Sequence, residues 1–392
     1  MDDQFDNVLN RFNTHSMKWD QLNKLFGSTD VLPMWVADMD FVSALAIRTA
    51  IDKVTEHGVF GYPFVPDTLR EAIQSWLGRR HNWPVETDWF VFCPGVVTTL
   101  ALSIETFSEP GDKIIIQPPV YPPFKRTVEM TGRELVNNPL IWQDDKYVMD
   151  YDGLEQLIDA QTKILVLCNP HNPVGRVWTK EELQKLGEIC EKHGVMILSD
   201  EIHCDIVYPD HPFTPFASVR ESFAQHSLTC MAATKTFNIA GLPFSYAVIP
   251  NATLRRKFQQ ALLRYALHMF NSVAIAATEA AYQDGEPWLD QLLQYLKGNV
   301  DTLLAFVKER IPEIRAIRPE GTYLIWLDFR ALELSDTQLG EFLTKEAKVG
   351  LNLGHTFGAG GEGFARINIG CPRTTLLEGL SRIEAAVQRI KR

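Results

Sequence analysis

From about residue 88 onward, short unbroken apolar runs alternate with stretches of helical periodicity. The runs WFVFCPG (89–95), DKIIIQPP (112–119), TKILVLCNP (162–170), VMILSDEIH (195–203) and SLTCMAATK (227–235) are apolar at consecutive positions. Such strands must be buried on both faces. Between them, 96–108, 122–132 and 180–194 carry helical patterns, the last stopped by Gly194. The alternation predicts an α/β fold, with a parallel or mixed sheet covered by helices on both sides.

The flanks differ. Residues 1–30 are polar and weakly patterned, which predicts an arm. Residues 43–58 form an amphipathic pattern ended by Gly58, and a second helix is expected over 66–80. After a strand at 246–250, long helices run to about residue 310. The tail predicts a strand at 321–329, a helix at 335–347, a strand at 364–370 and a final helix at 374–391. That is a small α+β lobe, which the arm is expected to join. The expected partition is 1–50, 51–285 and 286–392.

Composition narrows the class. The chain is 45% hydrophobic and 22% charged, ordinary for a globular protein. A net charge of −11 argues against nucleic acid or an anionic membrane as the main partner. The start, MDDQFDNVLN, lacks the apolar core of a signal peptide, and no stretch is long enough to span a bilayer. Six scattered cysteines without CxxC spacing predict reduced thiols and a cytoplasmic location.

In sheets of this kind, ligands bind beyond the carboxyl ends of the strands. Four of those ends carry polar residues with two readings each. After Gly95 a helix opens with small residues and Thr98; free N–H groups at a helix start suit a phosphate, and plain glycine-hinged capping leaves the same trace. Asn169 in CNPHNPVGR is a turn residue or a donor to a ligand. Asp200 in ILSDEIHCD needs a partner if it is buried. A salt bridge, a helix cap or a metal shared with His203 and Asp205 would serve. No second His/Cys cluster supports the metal, and none is expected. Lys235 in ATKTFNIAGL is unremarkable as a surface lysine. In that order, however, the four suit one ligand, pyridoxal 5′-phosphate. The lysine forms a Schiff base, the carboxylate keeps the pyridine nitrogen protonated, the amide bonds the phenolic oxygen and the helix start holds the phosphate.

The motifs LPMWVADMDF, GVFGYPF, PGVVTTL, QPPVYPPF, CNPHNPVGR, SDEIHCDIVY, TKTFNIAGL, YLIWLDF and GGEGFARINIGCP extend that reading over nearly the whole chain. With them the chain resembles the fold-type I pyridoxal-phosphate enzymes of the class I/II aminotransferase family, in particular the cystathionine β-lyase (C–S lyase) subgroup of the MalY/PatB type. The resemblance implies a large cofactor-binding domain built on a mixed, mostly parallel seven-stranded sheet, plus a smaller α+β domain from the arm and the C-terminal segment. It implies Lys235 as the Schiff-base lysine and the base at Cα, and Asp200 on the pyridine nitrogen. Asn169 is expected on the phenolic oxygen and near the substrate, with Tyr121 stacked on the ring and His203 beneath it. The amides of Val96 and Val97 are expected on the phosphate, with Thr234 assisting. Arg366 is expected to clamp the substrate carboxylate, and Ala37 to lie beside the substrate. A homodimer is implied, in which Tyr62 reaches the neighbouring subunit's cofactor.

Two departures bear on this. Many relatives carry a phosphate-binding arginine eight residues after the lysine, where this chain has Pro243. The lyase subgroup tends to lack it too, so what neutralises the phosphate is open. GAGGEG (358–363) matches G-x-G-x-x-G formally, but a strand follows it where a dinucleotide site needs a helix. A mobile loop near Arg366 is expected there, without NAD.

The implied activity is β-elimination from L-cystathionine and related cysteine S-conjugates, giving a thiol (homocysteine), pyruvate and ammonia. An aminotransferase on the same scaffold shares the first steps, and a regulatory protein that binds the same cofactor would keep the same site. Trp35, Met39, Phe41 and Phe64 are open between an apolar entrance and the core.

Overall fold

The apolar runs form a seven-stranded sheet in the computed structural model, which describes residues 3–390. In chain order its strands are β1 (Phe90–Cys93), β2 (Lys113–Ile116), β3 (Glu134–Asn137), β4 (Thr162–Cys168), β5 (Met196–Asp200), β6 (Ser227–Met231) and β7 (Ser245–Val248). They lie side by side as β1-β7-β6-β5-β4-β2-β3. β7 is antiparallel to both neighbours, and every other pairing is parallel. Every residue of β1, β6 and β7 is buried, which is why these strands show no polar alternation.

Helices cover both faces. The helices of eight residues or more among the described residues are α1 (Leu45–His57), α2 (Asp67–His81), α3 (Val96–Phe107), α4 (Pro123–Met130), α5 (Lys180–His193), α6 (Ala252–Arg264), α7 (Ser272–Asp284), α8 (Glu286–Arg310) and α9 (Arg373–Ile390). Leu100 of α3, Phe124 of α4 and Phe258 of α6 share a cluster with Val91, Ile114 and Val166 of the sheet. Leu183 and Leu186 of α5 pack with Leu165 and Ile197 in another. The limits of α5 follow from its ends: Thr179 and Glu182 form a reciprocal capping box, and Gly194 closes the helix at φ 69°.

A second, antiparallel sheet holds β8 (Arg315–Ala316), β9 (Leu324–Asp328), β10 (Asn352–Leu353) and β11 (Phe364–Asn368) in the order β8-β9-β11-β10. Leu32–Pro33, just after the expected arm, pair in parallel with Val349–Gly350. Lys18 on the arm is buried and donates to Asp40 at 2.7 Å. Residues 1, 2, 391 and 392, the outermost positions of the expected arm and last helix, lie outside the described residues.

In the main sheet, three runs differ from expectation. The run 227–235 is strand only to Met231, and Lys235 sits in a single helical turn, Ala233–Thr236, closed by Phe237 N donating to the Ala233 carbonyl. The run 195–203 stops as strand at Asp200, because Cys204 N turns back to the Glu201 carbonyl. β3 was not anticipated. It is the edge strand, and its half-exposed residues leave no continuous apolar run.

Candidate active site

The parallel strands end in register. Cys168 of β4 pairs with Asp200 of β5, which pairs with Cys230 of β6. The residues that follow therefore emerge at one edge of the sheet, around a cavity of about 520 Å³. Its lining brings together Ala37, Val96, Val97, Tyr121, Asp200, His203, Thr234, Lys235 and Arg366. A volume in this range suits a cofactor or a small ligand.

Asp200 is 4% exposed. Its carboxylate accepts one hydrogen bond, from Ile202 N at 3.1 Å. Burial pushes its pKa up to about 7, which the Ile202 amide and the charge of Lys235 only partly oppose. A buried acid so thinly paired is suited to a cationic ligand group. Lys235 has the complementary shift. Burial lowers its pKa to about 8, with Asp38 and Asp200 pulling upward and Arg366 downward. Its Nζ donates to the Ala37 carbonyl at 2.7 Å. Near neutrality its amine is thus partly free of its proton, which a nucleophile or base requires.

His203 stays neutral, because burial and then the charges of Lys235 and Arg366 lower its pKa to about 3. Its ring meets Tyr323 edge-on, with centroids 5.8 Å apart. Tyr121 is driven to higher pKa by burial and by Asp200, and so presents an uncharged phenol to the cavity.

The opening turn of α3 has no side-chain cap at Gly95, and the first amide to return within the helix is Thr99 N. The N–H groups of Val96 and Val97 are left to the cavity, where the helix dipole favours an anion. Pro243 also lines this cavity, so no arginine stands at that position. The unpaired amides, the thinly paired acid and the activated lysine fit the three polar parts of pyridoxal phosphate.

Arg366 on β11 is fully formed for a carboxylate. It donates to Asn172 Oδ1 at 2.8 Å, to the Trp35 carbonyl at 2.8 Å and to Asn352 Oδ1 at 2.7 Å. These partners are all neutral, so burial lowers its pKa to about 10 and its charge has no carboxylate partner. Its guanidinium lies 5.0 Å from the centre of the Phe357 ring.

Some expected residues lie elsewhere. Asn169 is fully buried away from the cavity. Its amide donates to the Thr214 carbonyl at 3.2 Å and its oxygen accepts from Trp178 N at 3.2 Å. Asn172, three residues on, lines the cavity in its place. Its place just before Pro173 was the only signal, shared with Asn169 before Pro170. Asn352 and Tyr323 were also missed. Tyr62 is 96% exposed and outside the cavity of its own chain. Of the four open apolar residues, Trp35 lines the cavity, Met39 and Phe41 are core and Phe64 is 80% exposed. The Asp205 carboxylate turns away from Asp200 and His203. It accepts from Trp76 Nε1 at 2.9 Å and Thr236 Oγ1 at 2.8 Å, and it bonds His81 Nε2 at 2.8 Å. Glycines 358, 360 and 363 form turns at positive φ, held by Tyr147 OH donating to the Gly360 carbonyl at 3.0 Å.

Fold and cavity together define a pyridoxal-phosphate protein of the fold-type I class. The chain belongs to the aminotransferase class I and II family, whose model matches residues 31–383. It is 47% identical over 384 residues to the cystathionine beta-lyase PatB of Bacillus subtilis, covering 98% of this chain and 99% of that one. A PLP-bound putative aminotransferase from Clostridium difficile superposes with a TM-score of 0.96 at 46% identity, over 98% and 99% of the two chains. A PLP-bound C-S lyase from Staphylococcus hominis superposes with a TM-score of 0.91 at 32% identity, over 97% of each.

Proposed function

We propose that the protein is a pyridoxal-phosphate-dependent carbon–sulfur lyase. It cleaves L-cystathionine and related cysteine S-conjugates with water to a thiol (homocysteine from cystathionine), pyruvate and ammonia. The observation that carries the proposal is the meeting of a lysine amine, a thinly paired buried acid and a buried arginine around one cavity.

Bound there, the cofactor supplies an aldehyde for an amine and a ring that takes up charge from Cα. Lys235 would hold the cofactor's aldehyde, and its amine would take the proton from Cα. Asp200 would stabilise a protonated ring nitrogen by its charge in a water-poor setting. The Val96 and Val97 N–H groups would hold the phosphate with Thr234, and Tyr121 would cover the ring. Arg366 would bind the substrate carboxylate through its charge and the N–H groups that its neutral partners leave free. Asn172, which touches Arg366, takes the role expected of Asn169 at the phenolic oxygen.

The same proposal includes a homodimer. Tyr62 is exposed beside Val59, Phe60 and Phe64, an apolar set on one loop that a second copy would cover. Tyr62 would then reach the phosphate of the neighbouring subunit. The six cysteines are all free, as a cytoplasmic location requires, and no helix among the described residues is long and apolar enough to cross a membrane. The partition into 1–50, 51–285 and 286–392 belongs to this reading as well.

The test is an absorbance spectrum and an assay. Purified protein given pyridoxal phosphate should gain a visible band that Lys235→Ala lacks. Cystathionine should then yield free thiol and pyruvate without added keto acid. A protein that never takes up the chromophore would overturn the cofactor, and strict keto-acid dependence would make it an aminotransferase.

A further inference from the structure

A second cavity, also of about 520 Å³, shares no lining residue with the first. It lies between the end of α2, the 204–213 segment and α8. His81, Cys204 and Asp205 stand together on its wall, and their ligand atoms all fall within 4.8 Å of one another. We propose that this trio binds a divalent cation of the zinc class, with a fourth coordination position open to the cavity.

The donor set decides the class of ion. Imidazole and thiolate favour zinc or cobalt(II) over magnesium or calcium, and a carboxylate completes a common three-residue set. The site is prepared around the carboxylate. Trp76 Nε1 and Thr236 Oγ1 each donate to one oxygen of Asp205, fixing its plane as outer partners of metal ligands do. The side chains of His81 and Asp205 are 4% and 2% exposed, and Cys204 is 4% exposed. Metal–ligand distances of about 2.0–2.3 Å keep tetrahedral ligands about 3.3–3.7 Å apart. His81 Nε2 and Asp205 Oδ1 are 2.8 Å apart, so a cation must spread them by about half an ångström.

Arg80, on the same wall, is already paired with Asp290 at 2.7 Å and Glu286 at 3.2 Å. The cavity gives solvent a path to the trio, and His211 lines it too. The position also matters to the first site. Thr236, bonded to Asp205, follows Lys235, and Asp205 lies on the turn that leaves Asp200. A bound ion therefore braces the chain segments that carry both groups.

The experiment uses the cofactor-loaded protein, stripped with a chelator, incubated with zinc and passed through gel filtration. Elemental analysis should find about one zinc per chain. Cobalt(II) should give the visible d–d bands of a tetrahedral site with a sulfur ligand. Cys204→Ser, nearly isosteric, should weaken zinc at least about tenfold in competition with a coloured chelator, and His81→Gln likewise. Cofactor-free protein should also bind zinc, which separates this site from the cofactor. No zinc above the chelated blank, or equal affinity in Cys204→Ser, would reduce the trio to a structural His–Asp hydrogen bond.

Discussion

The amine of Lys235 and the carbonyl oxygen of Ala37 stand 2.7 Å apart, although 198 residues separate them in the chain. The same oxygen accepts from Tyr323 OH at 2.8 Å. Its neighbours are held likewise: Arg366 donates to the Trp35 carbonyl, and Asn368 donates to those of Val36 and Asp38 at 2.5 and 2.6 Å. One bent segment, 35–38, thus ties the lysine to the arginine.

Tyr323→Phe removes only a hydroxyl from a buried ring, and leaves the Ala37 carbonyl to Lys235 alone. A carbonyl with one donor fewer accepts more strongly and favours the charged amine. The acid limb of the kcat–pH profile should therefore move to higher pH. Severalfold loss of kcat is expected with little change in KM, and about 1 kcal/mol of stability should go with the hydrogen bond. Steady-state kinetics across pH and denaturant unfolding check both. An unmoved acid limb would remove the phenol from the lysine's control.

Asp200 and Lys235 set opposite pH dependences in the cofactor-free protein. The folded pKa of Asp200 is raised from 3.8 to about 7, so the folded state holds the extra proton and stability falls as pH rises through that window. Lys235 is lowered from 10.5 to about 8; the unfolded state holds the proton there, and stability recovers with pH between those values. Asp200→Asn removes the first effect. Above pH 7 the cofactor-free variant should be more stable than the parent by on the order of 2–4 kcal/mol, while its lyase activity collapses. Thermal unfolding at several pH values measures this, and a destabilised variant at pH 8 would refute it.

The two asparagines of CNPHNPV should separate by phenotype. Asn169→Ala strands a buried Trp178 N–H and the Thr214 carbonyl, and should cost about 2 kcal/mol of stability. Asn172→Ala takes a partner from Arg366, and should lower kcat/KM about tenfold at a smaller stability cost. Unfolding curves set beside kinetics distinguish them, and the reverse pattern would restore Asn169 to the cavity.

These residues also mark what the chain discloses before it is folded. Strands buried on both faces announce themselves as apolar runs, and a polar residue at the end of such a run, like Asp200, is conspicuous. β3 escapes because an edge strand is half exposed. Asn169 and Asn172 are the same residue in the same Asn-Pro setting, and only the path of the turn decides which faces the ligand. Asp205 follows His203 by two residues, yet the turn after β5 sends the two side chains to different cavities. The Ala37 acceptor is a backbone carbonyl, which every residue possesses, so no side chain could have signalled it.

Arg366 gives the sharpest test of substrate binding. Its three neutral partners orient the guanidinium without spending its charge, so the charge is left for the substrate. Lysine in its place keeps the charge and loses the planar fork. Arg366→Lys should then raise KM for cystathionine sharply and lower kcat/KM about 30- to 150-fold, the worth of one charged hydrogen bond of about 2–3 kcal/mol. The visible cofactor band should persist, since the proposed role of Arg366 is toward the substrate. Kinetics and a spectrum on the same preparation decide the matter: a near-normal KM would place the carboxylate elsewhere.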